Sequence, residues 1–200
     1  AILQHQYGVD LARITWVLRG ENNVEKDYRH FDPPFILASD KVIAMIRNLT
    51  VRHLPSGTLF PLEATQYDPW VMRELIHNCI AHQDYSLAGR INVVETPDSL
   101  LFTNLGAFIP DSLEGIIKND SPPDVYRNPF LTRAMESLNM IETIGSGIRQ
   151  MFIRQRERGF PMPEYDLNNP GKVAVRLAGN LLDENYTRLI LEHLELDLFD

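Results

Sequence analysis

From Leu11 to Arg19 the chain reads LARITWVLR, with apolar and polar positions alternating among branched and aromatic side chains, which predicts a β-strand. Pro33 and Pro34 interrupt the pattern, and Val42, Ile43, Ile46 and Leu49 then recur at helical spacing, predicting a helix over 37–49. Pro55-Ser56-Gly57 predicts a turn before a short strand at 58–63. Asp68 followed by Pro69 is the signature of an N-cap and a first-turn proline, so a helix opens there. INVVET and LLFTN, split by Pro97-Asp98, predict a β-hairpin. The proline-rich stretch 104–129 reads as a loop, followed by helices at about 129–138 and 144–158. Beyond Gly159, Pro161 and Pro163 come a strand at 172–177 and a last helix from about 184. Helices and strands interleave without regular βαβ spacing, which points to an α+β layer structure rather than a doubly wound sheet.

The helix that starts at Asp68 holds the residues with most chemistry. Across WVMRELIHNCIAHQDY, Val71, Met72, Leu75, Ile76, Cys79 and Ile80 fill one half of the helix and form its core-facing side. Glu74, Asn78 and His82 are spaced by four, so a carboxylate, a carboxamide and an imidazole stand in one row along the edge of that arc. Burying such groups without partners costs roughly 1–3 kcal/mol each, so a ligand, metal, water or neighbouring backbone should satisfy them. A hydrogen-bonded helix–sheet junction meets that demand as well as a binding pocket does. Asn104-Leu105-Gly106 closes the second hairpin strand, where a glycine permits positive φ and close approach of a ligand to backbone. Gly145-Ser146-Gly147 precedes IRQMFIRQRER and offers free backbone N–H groups suited to phosphate, although each glycine stretch taken alone also reads as an ordinary turn.

Composition narrows the setting. Two hundred residues with 44% hydrophobic content suffice for one sizeable core. No run of eighteen apolar residues and no leader pattern occurs, and the single Cys79 allows neither an internal disulfide nor a thiolate metal site, so a reducing cytoplasm fits. The net charge of -8 argues against this segment gripping a nucleic-acid backbone, which needs clustered Lys and Arg to displace counterions. Arg149, Arg154, Arg156 and Arg158 crowd one stretch and read as a solvated helix face. The chain opens on Ala1 and reads as folded sequence by Leu11, as a piece excised from a longer polypeptide would.

The order RELIHNCIAHQDYS, a hairpin ending TNLGAFIPDSL, then SPPDVYRNPFLTRAMESLNMIETIGSGIRQMF resembles, over about Asp68 to Leu177, the carboxy-terminal ATPase-like domain of the predicted regulators called RecG-related. That resemblance implies a GHKL-type fold, a two-layer α/β sandwich with a mixed sheet and helices on one face, related to the ATPases of gyrase, histidine kinases and mismatch-repair proteins. It implies a domain over 1–180 and a connector over 181–200. The family domain normally follows a Schlafen-like AlbA-type domain and leads toward a winged-helix segment, so both are implied partners within one longer chain. The resemblance implies ATP and Mg²⁺ as cofactors. It places Asn78 as the Mg²⁺ ligand, Glu74 as the residue that can activate water, and His82 beside them. Asn104 and Gly106 stand at the adenine-binding D-x-G-x-G box, and Gly145, Ser146 and Gly147 near the phosphate-lid glycines. The sequence departs from the box in having Asn104 for the usual Asp and Phe108 where a second glycine stands.

Two readings stay open: an ATP-binding regulatory domain whose occupancy alters domain packing, with at most weak Mg²⁺-dependent ATPase activity, and a degenerate scaffold for dimerisation or for linking DNA-binding domains. A hydrolase built on His82 and Asp84 lacks a nucleophile or metal triad of suitable spacing, and no G-x-x-x-x-G-K-[ST] phosphate loop supports a helicase. Residues 183–197 predict a helix capped by Asp183 that projects from the main body, whose Leu189, Ile190, Leu194 and Leu196 form an apolar face expected to be covered by a second copy of the chain, making a homo-oligomer, with a neighbouring domain as its cover in a longer chain and folding back onto its own body as the alternative. Given the charge, this segment is expected to show no salt-sensitive shift of DNA mobility at physiological ionic strength; tight binding quenched by added salt would contradict that.

Overall fold

A computed structural model describes residues 12–53, 62–110, 112–119, 125–141 and 145–181. Strand β1 (Ile14–Arg19) leads through a short 3-10 turn into β2 (Glu25–Phe31), then helix α1 (Phe35–Met45), β3 (Thr50–His53) and β4 (Leu62–Thr65). Helix α2 (Pro69–His82) follows, then the hairpin β5 (Ile91–Glu95) and β6 (Ser99–Leu105). Helices α3 (Leu113–Asn119), α4 (Pro129–Ser137) and α5 (Gly147–Glu157) precede β7 (Glu164–Asp166) and β8 (Lys172–Ala178). Six strands form one sheet in the order β2-β1-β5-β6-β8-β7, in which β1 and β5 are parallel and the other pairs antiparallel. The expected α+β class with a mixed sheet is therefore what the chain adopts.

Pairing register explains which face is buried. Trp16, Val93, Phe102 and Val175 stand opposite one another across four adjacent strands, and Leu18, Glu95, Leu100 and Leu177 form the next row. Helices α1, α2, α4 and α5 send Phe35, Val42, Leu75, Ile76, Met135 and Met151 into the same cluster. This row includes one buried carboxylate. Glu95, 2% exposed, accepts from Trp16 Nε1 at 3.1 Å and from Arg47 Nε at 2.5 Å, as a charge taken out of water requires.

Local chemistry sets the helix boundaries. The Asp68 carboxylate accepts from Trp70 N at 2.7 Å and Val71 N at 3.3 Å, capping α2 as expected. Helix α1 ends at Met45 rather than near 49. Asn48, at φ 33°, mimics a strand backbone: its Nδ2 donates to Tyr67 O and its Oδ1 accepts from Tyr67 N, at 3.0 and 2.8 Å. Leu49 is consequently 54% exposed rather than part of a helical face. The strand expected at 58–63 is β4, four residues later at its start, and 54–61 lie outside the described residues. Within the stretch read as a loop, α3 forms where the Ser112 hydroxyl accepts from Gly115 N and Lys118 pairs with Glu114 at 2.7 Å. Strands β2 and β7 carry no apolar alternation and were not anticipated; β2 buries Phe31 alone.

The arginines of α5 are not simply a solvated face. Arg154 stacks 4.8 Å from the Trp70 ring centroid and reaches Asp68 Oδ2 at 3.4 Å, while Arg158 donates to Thr65 O and lies 4.4 Å over Phe160. Arg154 ties α5 to the start of α2, and Arg158 ties its end to the last residue of β4. The expected helix at 183–197 lies outside the described residues. Among the described residues no helix is long and apolar enough to cross a membrane. Asp68→Ala removes a cap and the Arg154 contact together, and is expected to lower stability by about 1–2 kcal/mol, read as a fall in the urea midpoint at unchanged m-value.

Candidate functional site

The apolar arc of α2 faces the sheet, so its edge row points along the layer boundary. There a cavity of about 570 Å³ opens, bounded by α2, α3, α5, strand β8 and the segment that follows β6. Glu74, Asn78 and His82 line it, together with Asn104, Gly145 and Gly147. Six of the eight residues singled out in the sequence thus share one cavity. Gly106 and Ser146 stand outside its lining. Ser146 precedes the first turn of α5 without making a side-chain cap, and Gly106 is covered by a guanidinium described below.

Each polar group in the row has a defined neighbour. Asn78 Nδ2 donates to Glu74 Oε1 at 3.0 Å, which leaves the Asn78 carboxamide oxygen to face outward. The Glu74 carboxylate packs against the first residue of α5: a Cβ on Gly147 would lie 2.1 Å from Glu74 Oε1, so a larger residue there would have to displace the carboxylate. Burial, and then the Arg127 guanidinium, hold the His82 pKa below its ordinary value, so the ring is a neutral imidazole at pH 7 with one donor and one acceptor nitrogen. Burial pushes the Cys79 thiol up to about 12, which removes a thiolate nucleophile.

Asn104 is 5% exposed. Its Nδ2 donates to His82 O at 3.4 Å and Leu105 O at 3.2 Å, so its Oδ1 remains the acceptor at the cavity. Gly106, at φ 115°, needs glycine both for its backbone and because Arg127 lies 3.0 Å from where a Cβ would stand. Arg127 reaches Asp84 at 3.5 Å and Ala107 O at 2.9 Å. Gly145, at φ 82°, turns the chain into α5.

Several members of the site were not found from the sequence. Phe108, Tyr126 and Tyr165 supply aromatic wall beside Ile116, Ile148 and Val175. The Tyr165 hydroxyl is pushed far above the usual tyrosine range by burial first, then by Glu74 and Cys79, so it is a neutral phenol. Gln83 and Asn128 hold the end of α2: Leu105 N donates to Gln83 Oε1 at 2.9 Å, and Asn128 Nδ2 donates to Ala81 O and Gln83 O at 2.8 and 2.9 Å. His77, 3% exposed, fastens the other flank through Met140 O at 2.6 Å. A carbonyl only accepts, so Nδ1 carries the proton. These contacts join segments far apart in sequence, and no local pattern announces them.

Residues 89–177 match the family HATPase_c_4, described as "Putative ATP-dependent DNA helicase recG C-terminal". The match begins after α2 and runs from the hairpin through the glycine loops into β8. The resemblance noted from the sequence therefore holds for that segment. The fold is similar to a crystal structure of the DIP2311 protein from Corynebacterium diphtheriae, with a TM-score of 0.69 and 16% identity, over 89% of this chain and 36% of that one. The chain thus spans little more than a third of that protein's length, and at this identity the likeness is one of fold. No curated protein matches the chain.

Burial also lowers the His77 pKa, ahead of Arg73 and against the pull of Met140 and Asp40. On unfolding, His77 and His82 return toward 6.5. Below that value the unfolded chain takes up protons that the folded chain resists, so this part of the stability is present above the unfolded pKa and is lost on acidification. The urea midpoint is expected to fall between about pH 7.5 and about pH 5.5. The fall should be shallower in His77→Asn, whose amide can replace the imidazole donor to Met140; an equal slope would remove His77 from the cause.

Proposed function

We propose that the chain, whose residues 89–177 match the RecG C-terminal family, is the ligand-binding regulatory part of a longer polypeptide. Its occupant is an adenine nucleotide, ATP in the reading that the family implies, and binding is coupled to domain packing. The observation that carries this reading is the gathering of Glu74, Asn78, His82 and Asn104 around one cavity of about 570 Å³, a size ordinary for small-molecule sites. Its walls come from α2, α3, α5 and β8 together. An occupant would tie these elements to one another, which is how a ligand favours one packing over another.

Asn104 supports the adenine end of this reading. Its amide nitrogen is committed to backbone carbonyls, so it offers the acceptor that an exocyclic amine requires. For Mg²⁺ the donors at hand are the Asn78 oxygen and the Glu74 carboxylate. Among the described residues no group of three or more His, Cys, Asp or Glu could hold a metal, so the ion would be shared with phosphate oxygens, as Mg²⁺ commonly is. When bound, it would neutralise phosphate charge; Asn78, oriented by Glu74, would position it.

The degenerate scaffold is the second reading, favoured by one observation: Glu74 already occupies the space beside Gly147. Equilibrium binding of ATP and ADP, with and without Mg²⁺, separates the two. Saturable binding that Asn78→Ala reduces by at least about tenfold, or roughly 1.4 kcal/mol, supports the ligand site. Binding indifferent to Asn78→Ala would move any metal contact elsewhere, and no binding at all would leave the scaffold.

A further inference from the structure

The cavity sorts its polar groups by sign. Helix α5 runs eleven residues from Gly147, and its first turn is the positive end of the helix dipole, which attracts anions. The anion there is the protein's own. Glu74 Oε1 lies so close to Gly147 that one added methyl would collide with it at 2.1 Å. A phosphate seated at the same helix start would have to displace that carboxylate or share its space with a like charge.

Nothing else in the lining offsets phosphate charge. None of the cavity's described lining residues is Lys or Arg. Arg127 is turned to Asp84 and Ala107 O over Gly106. The groups that do face the space suit a different guest. Asn104 presents a carboxamide oxygen because its amide nitrogen donates to two backbone carbonyls, Asn78 keeps its oxygen as an acceptor while its nitrogen donates to Glu74, and His82 is neutral. Around them stand Phe108, Tyr126, Tyr165 and Val175. Two acceptors in an aromatic and aliphatic enclosure match a flat body edged with N–H donors.

We infer that the cavity selects an uncharged, amine-bearing heteroaromatic ligand of the nucleoside class over its metal-free phosphorylated forms, and that Glu74 sets this selection. The inference rests on the cavity being a ligand site, as proposed above, and specifies its ligand.

The test uses the full chain, with adenosine, ATP without metal and ATP with Mg²⁺ as probes in equilibrium titrations. Adenosine is expected to bind at least about tenfold tighter than metal-free ATP. Glu74→Gln keeps the side chain's shape and removes its charge, and should narrow that gap by about tenfold or more, chiefly by strengthening ATP binding. Glu74→Ala should act in the same direction, with circular dichroism confirming that either variant is folded. Tighter binding of metal-free ATP than of adenosine to the unaltered chain overturns the inference while leaving the nucleotide reading intact, and needs no variant. A gap unchanged in a folded Glu74 variant removes Glu74 as its cause and also overturns the inference. If none of the three probes binds, the ligand-site reading falls and this inference with it.

Discussion

A helix that ends inside a protein leaves carbonyl groups that must find donors, and the rest of this structure depends on how α2 meets that demand. Asn128 supplies one amide to Ala81 O and Gln83 O, and Asn104 another to His82 O. Gln83 in turn accepts from Leu105 N, while Asp84 N donates to Leu105 O at 2.8 Å. The end of α2, the end of β6 and the start of α4 are thereby locked together by side-chain amides. Because Asn128 is fixed, its neighbour Arg127 lies over Gly106; because Asn104 is fixed, its oxygen faces the cavity. The open space is a result of this lock, since α2 cannot slide toward the loops without orphaning its own carbonyls.

The same lock determines the chemical temper of the cavity. Burial biases several groups on or beside the α2 row toward their uncharged forms. His82 and Cys79 are neutral through burial, and Tyr165 is a phenol for the same reason. Such a surface recognises shape and hydrogen-bond direction more readily than charge.

Much of this could be read before the fold was in view, and the reasons for success and failure are physical. Helix α2 was legible because its N-cap, proline and apolar period all agree, and the β5–β6 hairpin because its strands alternate on either side of a turn dipeptide. Glu74, Asn78 and His82 shared a face by arithmetic alone. The end of α1 was not legible, because Asn48 stops it by bonding to Tyr67, nineteen residues away. Helix α3 hid among prolines. The arginines of α5 looked solvated until Trp70 and Asp68 came within reach of Arg154. The aromatic wall was invisible for a similar reason, since Phe108, Tyr126 and Tyr165 belong to three separate segments.

Strand β2 was missed because it looks nothing like a buried strand. Glu25, Lys26, Asp27 and Arg29 place charge along an outer margin whose backbone groups on one side lack a neighbouring strand. At the opposite margin β7 is only three residues long. A further strand approaching either border would meet alternating ionic side chains at one and too short a template at the other. Among the described residues, lateral growth of the sheet into fibrils or domain-swapped ribbons is thus discouraged at both ends.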